Sequence, residues 1–183
     1  MKKLIIQVVI YVLIVATIKI YAQDPCFPEC DSLLYTSTIT ETTYLGSCTF
    51  TIEYEVQVCK IGCILRTHGI ITSGDCDSSA AFLRSVLYAA QDSLILTNPD
   101  FSDCRPHQDG AIKIIKFVEP ACWARLIFEP NIYTHCDPLS CCIFTYWVSD
   151  DNENLGKYIH RLYMVETPDP CTNPPPYCIV TCE

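Results

Sequence analysis

The sequence predicts a small disulfide-rich α+β domain with a two-strand hairpin, one helix and then about four antiparallel strands. Three observations carry that expectation. Fourteen cysteines, an even number, follow an export-like apolar segment, and cysteine used so heavily persists as disulfide outside the reducing cytosol. Strict apolar/polar alternation over 49–58 is the period-two signature of a half-buried strand, and four later segments separated by turn residues also read as strands. One stretch alone switches to helical spacing, and one helix against an antiparallel sheet is an α+β arrangement.

The first 22 residues have the three-part layout of a secretory signal peptide. Lys2 and Lys3 form a positive start, Leu4 to about Ile18 an apolar run, and Ile20-Tyr21-Ala22 a small-residue cleavage site. The apolar run is shorter than the ~20 residues of a spanning helix, and an uncleaved N-terminal anchor is the alternative. Residues 23–183 then form a single secreted domain. Its extended N-terminal arm, to about Ser37, holds Pro25, Cys26, Pro28 and Cys30.

Phe50, Ile52, Tyr54, Val56 and Val58 make the apolar side of the first strand. Lys60-Ile61-Gly62 reads as a three-residue hairpin loop with Gly62 left-handed, followed by a strand from Cys63 to about Thr72. Placing Cys59 opposite Cys63 pairs Tyr54 with His68 and Ile52 with Ile70, which keeps the apolar side together. It also predicts a Cys59–Cys63 disulfide across the hairpin.

Asp77, Ser78 and Ser79 are capping residues for a helix running to about Leu94. Leu83, Val86, Leu87, Ala90 and Leu94 form its apolar stripe, and Arg84, Gln91 and Asp92 lie off it. Asn98-Pro99 ends the helix. Strands are expected over 111–119, 122–128, 141–149 and 157–166, separated by turn residues at Glu119-Pro120, Glu129-Pro130-Asn131 and 150–156. A proline-rich C-terminal tail follows, tied down by Cys171, Cys178 and Cys182.

Charge narrows the function. Loss of residues 1–22 removes Lys2, Lys3 and Lys19, leaving 161 residues with 9 basic and 21 acidic side chains, a net charge of −12. So acidic a surface repels phosphate backbones and anionic bilayers, so neither nucleic acid nor, after signal cleavage, membrane is an expected partner.

Cys26, Cys30, Cys48, Cys59, Cys63, Cys76, Cys104, Cys122, Cys136, Cys141, Cys142, Cys171, Cys178 and Cys182 are all expected to be bridged. The CxxxC pairs lack the two-residue knuckle common in zinc ribbons, and no redox C-x-x-C occurs. Cys141 and Cys142 are adjacent in a strand and face opposite ways, so they bond to different partners. Asp150, Asn152 and Asn154 match the first oxygen positions of an EF-hand loop. Leu155 and Arg161 occupy the required glycine and glutamate positions, which leaves at most a weak calcium site.

Neither H-E-x-x-H nor G-x-S-x-G is present. The loop Arg105-Pro106-His107-Gln108-Asp109-Gly110 gathers a cation, a base and a carboxylate, and is the one catalytic-looking segment. His68 and His160 fall in strands, where hydrogen-bonded structural roles are expected. Trp147 and Tyr158, in the ring-rich last hairpin, are the candidate ligand-binding rings; Tyr146 and Trp147 point to opposite faces.

The expected function is a secreted or cell-surface, non-catalytic structural or interaction domain with no cofactor, acting on an extracellular protein or glycan. The alternative is an extracellular binder of a small ligand, glycan or calcium; the third reading is a secreted hydrolase centred on His107.

Overall fold

The computed structural model describes residues 26, 28, 30–106, 111–137, 139–150, 158–172 and 174–182. Among the described residues the fold is sheet-rich with one α-helix and seven disulfides, a small disulfide-rich α+β arrangement. The signal-peptide reading of 1–22 lies outside the described residues.

Strand β1 (Leu33–Leu45) corrects the expected arm, which keeps only the residues before it. It pairs antiparallel with β2 (Cys48–Cys59) through Leu45↔Cys48, and Gly46 turns the chain at φ +63°. Such a φ suits glycine, which has no Cβ to clash. The strand was hidden because its inward positions after Ile39 are Glu41 and Thr43. Glu41 is nonetheless buried, accepting from Ser93 Oγ at 2.7 Å and Asn98 Nδ2 at 2.6 Å.

Strand β3 (Gly62–Gly74) completes the second hairpin, and its register holds the main surprise. Ile52 faces Ile70 as expected, but Tyr54 faces Thr67 and Val58 faces Cys63. A bulge between Glu53 and Tyr54 leaves His68 as an extra residue on β3 and shifts the turn-proximal half by one position. The shift reverses side-chain alternation. Cys63, Leu65 and Thr67 therefore share the buried face with Ile70 and Thr72.

Cys59 and Cys63 consequently project from opposite faces, which rules out the predicted bridge. Cys59 bonds to Cys30 and Cys63 to Cys104. Gly62 also has a different role from the one expected. Its φ is not left-handed; a Cβ there would sit 1.8 Å from the Ile114 carbonyl oxygen of the neighbouring strand.

Helix α1 (Ala80–Leu96) is N-capped by Ser79, whose Oγ accepts from Phe82 N. The expected stripe is buried, and Gln91 and Ile95 join it, so Gln91 is misplaced in the sequence reading. A 3-10 turn (Pro99–Cys104) leads to β4 (Ile112–Pro120). There follow β5 (Cys122–Arg125), β6 (Ile132–His135), β7 (Cys141–Asp150), β8 (Tyr158–Asp169) and β9 (Cys178–Val180). Short β6 and β9 carry too few residues to show a period.

The helical crossover makes β4 parallel to β3, against the all-antiparallel expectation. A parallel neighbour needs such a long connection, and α1 supplies it. β3 pairs with β4 over Gly62–Arg66 and with β6 at Ile70 and Ile71, on either side of the His68 bulge. The sheet thus forks into β4-β7-β8 and β6-β5-β9.

The main core lies between α1 and the sheet, filled by Phe50, Tyr54, Phe101, Phe117 and Trp123. A smaller one, with Ile64, Val118 and Ile143, lies on the outer face beside Cys26 and Cys59. The N-terminal segment is fastened there by Cys26–Cys141 and Cys30–Cys59. Cys48–Cys76, Cys122–Cys171, Cys136–Cys178 and Cys142–Cys182 account for the remaining cysteines. Peptide mapping of the unreduced protein should recover these seven linkages. A Cys59–Cys63 peptide would overturn both the bulge and the register.

Candidate functional site

The described candidates for chemistry resolve first into structural roles. His135 Nε2 lies 2.8 Å from the Thr67 carbonyl, and burial lowers its pKa. His160 Nε2 is 2.8 Å from Asp92 Oδ1, and His68 is 3.4 Å from Glu55. Arg105, the cation of the catalytic-looking loop, turns inward instead. Its Nε and Nη2 donate to the Ile95 and Leu94 carbonyls at 2.6 and 3.0 Å. It thereby caps a helix whose last turn has no basic residue of its own. Residues 107–110 lie outside the described residues, as do Asn152 and Asn154 of the calcium reading; Asp150 ends β7.

Cys30, Asp31 and Cys59 stand close enough together to suggest a metal site, but both sulfurs are spent in the Cys30–Cys59 bond. Among the described residues Glu119 is the one buried carboxylate with a large shift, pushed up to about 7 by burial against the opposing bonds from Thr67 and Gln91. Thr67 Oγ1 is 2.5 Å from its Oε2 and Gln91 Nε2 3.0 Å from its Oε1; Tyr146 Oη donates to Gln91 Oε1 at 2.8 Å. The crevice beside it, walled by Arg84, Tyr88, Phe144 and Thr181, encloses about 10 Å³. That is on the order of one water. Glu119 belongs to the packing of α1 on the sheet.

The accessible candidate is the open half of the outer face, beyond the smaller core. β4, β7 and β8 align Ile114 with Trp147 and Trp147 with Arg161, and the next row is Lys116, Thr145 and Met164. Trp147 and Tyr163 stack with centroids 4.3 Å apart and planes 11° apart, yet remain 42% and 57% exposed. A bulge in β8 between Leu162 and Met164 brings Met164 to the same side. Ile112 and Ile159, each opposite Ser149, extend this exposed apolar surface.

Trp147 and Tyr158, predicted to serve together, are not brought together. Tyr158 pairs with Asp150 on the helix face, where the Arg105 guanidinium lies 5.0 Å from its ring centre. The partner of Trp147 is Tyr163, which the sequence reading did not single out. Tyr163 shares parity with Arg161, the residue opposite Trp147, but seeing this requires the β7–β8 register.

Among the described residues, no helix is long and apolar enough to cross a membrane. No protein-family model matches the chain, and neither a curated protein nor a solved structure matches it. The disulfide framework fits an extracellular or secreted protein.

Proposed function

We propose that this is a secreted or cell-surface interaction domain without catalysis, and that it docks an extracellular protein through the outer face around Trp147 and Tyr163. The observation that carries the reading is the exposed stack itself. Two large rings held face to face on paired strands are pre-ordered, so binding immobilises little that was free. Aromatic and arginine side chains dominate the energetics of protein interfaces, and Arg161 stands directly across from Trp147. Each ring spends one face on the other, which suits a protein pocket better than a flat sugar platform. The signal-like leader supports export, and the disulfides suit the medium outside.

The test is binding of labelled mature protein to the surface of its source cells. Trp147→Ala with Tyr163→Ala should weaken it at least tenfold, since truncating one such anchor typically costs about 2 kcal/mol or more. Melting should be unaltered, because both rings lie outside the core. Unchanged binding would overturn the proposed surface. Competition by polysaccharide, with no loss on protease treatment of the cells, would make the partner a glycan. Turnover in a broad hydrolase screen would defeat the non-catalytic reading.

A further inference from the structure

The most exposed large apolar side chains among the described residues are Phe128, at 96%, and Ile127, at 89%. Sequence periodicity carries the strand to Phe128, but β5 stops at Arg125, and the next residues form the tip of the β5–β6 hairpin. This tip is an ordered turn. Leu126 N donates to Ile132 O at 3.0 Å, Ile132 N to Glu129 O at 2.9 Å, and Arg125 Nε to the Pro130 carbonyl. Leaving Ile127 and Phe128 in water is costly, and no packing among the described residues rewards it.

A groove of about 410 Å³ opens beside the base of the same hairpin. Ile71 and Ile132, directly paired across β3 and β6, line it together with Thr40, Thr51, Glu53 and His68. An apolar knob and an apolar hole therefore sit next to each other on one edge of the molecule.

We propose that the occupant of the groove is the hairpin tip of a second copy of this chain, and that the exchange is reciprocal. A twofold dimer is self-complementary, so it needs knob and hole on the same patch, as here. Charge supports this partner. Arg125 at the base of the knob and Glu53 in the groove wall are both exposed and of opposite sign, and the twofold brings each to the other twice. Two phenyl and two isoleucine side chains, with the groove walls they cover, bury on the order of 1,200 Å², the low end for a specific interface. A reversible dimer follows. A bilayer is a poorer occupant, since the chain's net charge of −9 opposes anionic lipid and so small an apolar tip is a marginal anchor.

The experiment is sedimentation equilibrium of the mature, disulfide-intact protein from about 1 μM to about 1 mM, the range over which small interfaces dissociate. The wild type should pass from monomer to dimer, and Phe128→Ala should remain monomeric with unaltered melting. Arg125→Glu and Glu53→Arg should each weaken self-association at least tenfold, because each homodimer then opposes like charges twice. Mixing these two variants should restore dimers, since both contacts in the mixed pair again join opposite charges. A wild type that stays monomeric, a dimer indifferent to Phe128→Ala, or a mixture that fails to associate would overturn the proposal. So would a monomer that binds phosphatidylcholine vesicles through Phe128, which would assign the tip to lipid.

Discussion

Replacing Leu87 with alanine will lower stability by about 2–5 kcal/mol, the range for emptying a buried leucine site. Leu87 is almost fully buried in the main core, between Val86 and Ala90 on the inward face of α1. The comparison is Arg84→Ala, one turn earlier. Sequence alone puts Arg84 on the solvent side, where a substitution changes stability by about 0.5 kcal/mol or less. In the fold its Nε donates at 2.8 Å to the carbonyl of Thr181, holding the C-terminal segment against the helix. Losing that bond should cost about 1 kcal/mol. Urea denaturation of both variants decides the matter. Equal losses would mean that the inward face of α1 has been drawn wrongly.

The second large effect is on pH dependence. Glu119 in the unfolded chain ionises near 4.5, but burial in the fold raises it to about 7. Below pH 4.5 the carboxyl is neutral in both states and its contribution to stability is complete. Between 4.5 and 7 the unfolded chain releases the proton while the folded chain keeps it, so stability falls as pH rises. Above 7 the loss is complete, on the order of 3 kcal/mol. The protein should therefore melt at higher temperature near pH 5 than near pH 8. Glu119→Gln keeps an acceptor and a donor for Thr67 and Gln91 and cannot ionise, so it should remove most of that difference. The excess of surface carboxylates contributes in the same direction and is common to both proteins, so the difference between them isolates Glu119. An identical pH profile in the variant would show that Glu119 does not hold its proton in the fold.

Several elements were legible because their signal is local. The alternation from Phe50 to Val58, the stripe from Leu83 to Leu94 and the later long strands each repeat an apolar side chain at the period of the backbone that presents it. Opposite orientation of Cys141 and Cys142 follows from the same period, and they bond to Cys26 and Cys182 respectively. β1 escaped because Glu41 and Thr43 face inward, satisfied by Ser93 and Asn98 of distant sequence in the case of Glu41. Gln91 escaped for the same reason: its amide is buried against Glu119 and Tyr146, neither of them near it in the chain.

The candidate surfaces were legible only as ingredients. Trp147 and Tyr158 were singled out, but the partner of Trp147, Tyr163, is set by the β7–β8 register, and Tyr158 lies on the opposite face of the sheet from Trp147. Ile127 and Phe128 looked like the end of a strand because apolar composition does not tell a buried residue from a projecting one.

By itself the sequence determined an exported-type cysteine content, an acidic balance, one amphipathic helix and most of the long strands. These depend on composition and on periods of a few residues. Tertiary structure alone decided the parallel β3–β4 pairing, the bulge at His68, the seven disulfide partners and which aromatic side chains remain in water. Each of these joins residues far apart in the chain. A single inserted residue in one strand is enough to move a side chain from one face to the other, as Cys59 and Cys63 show.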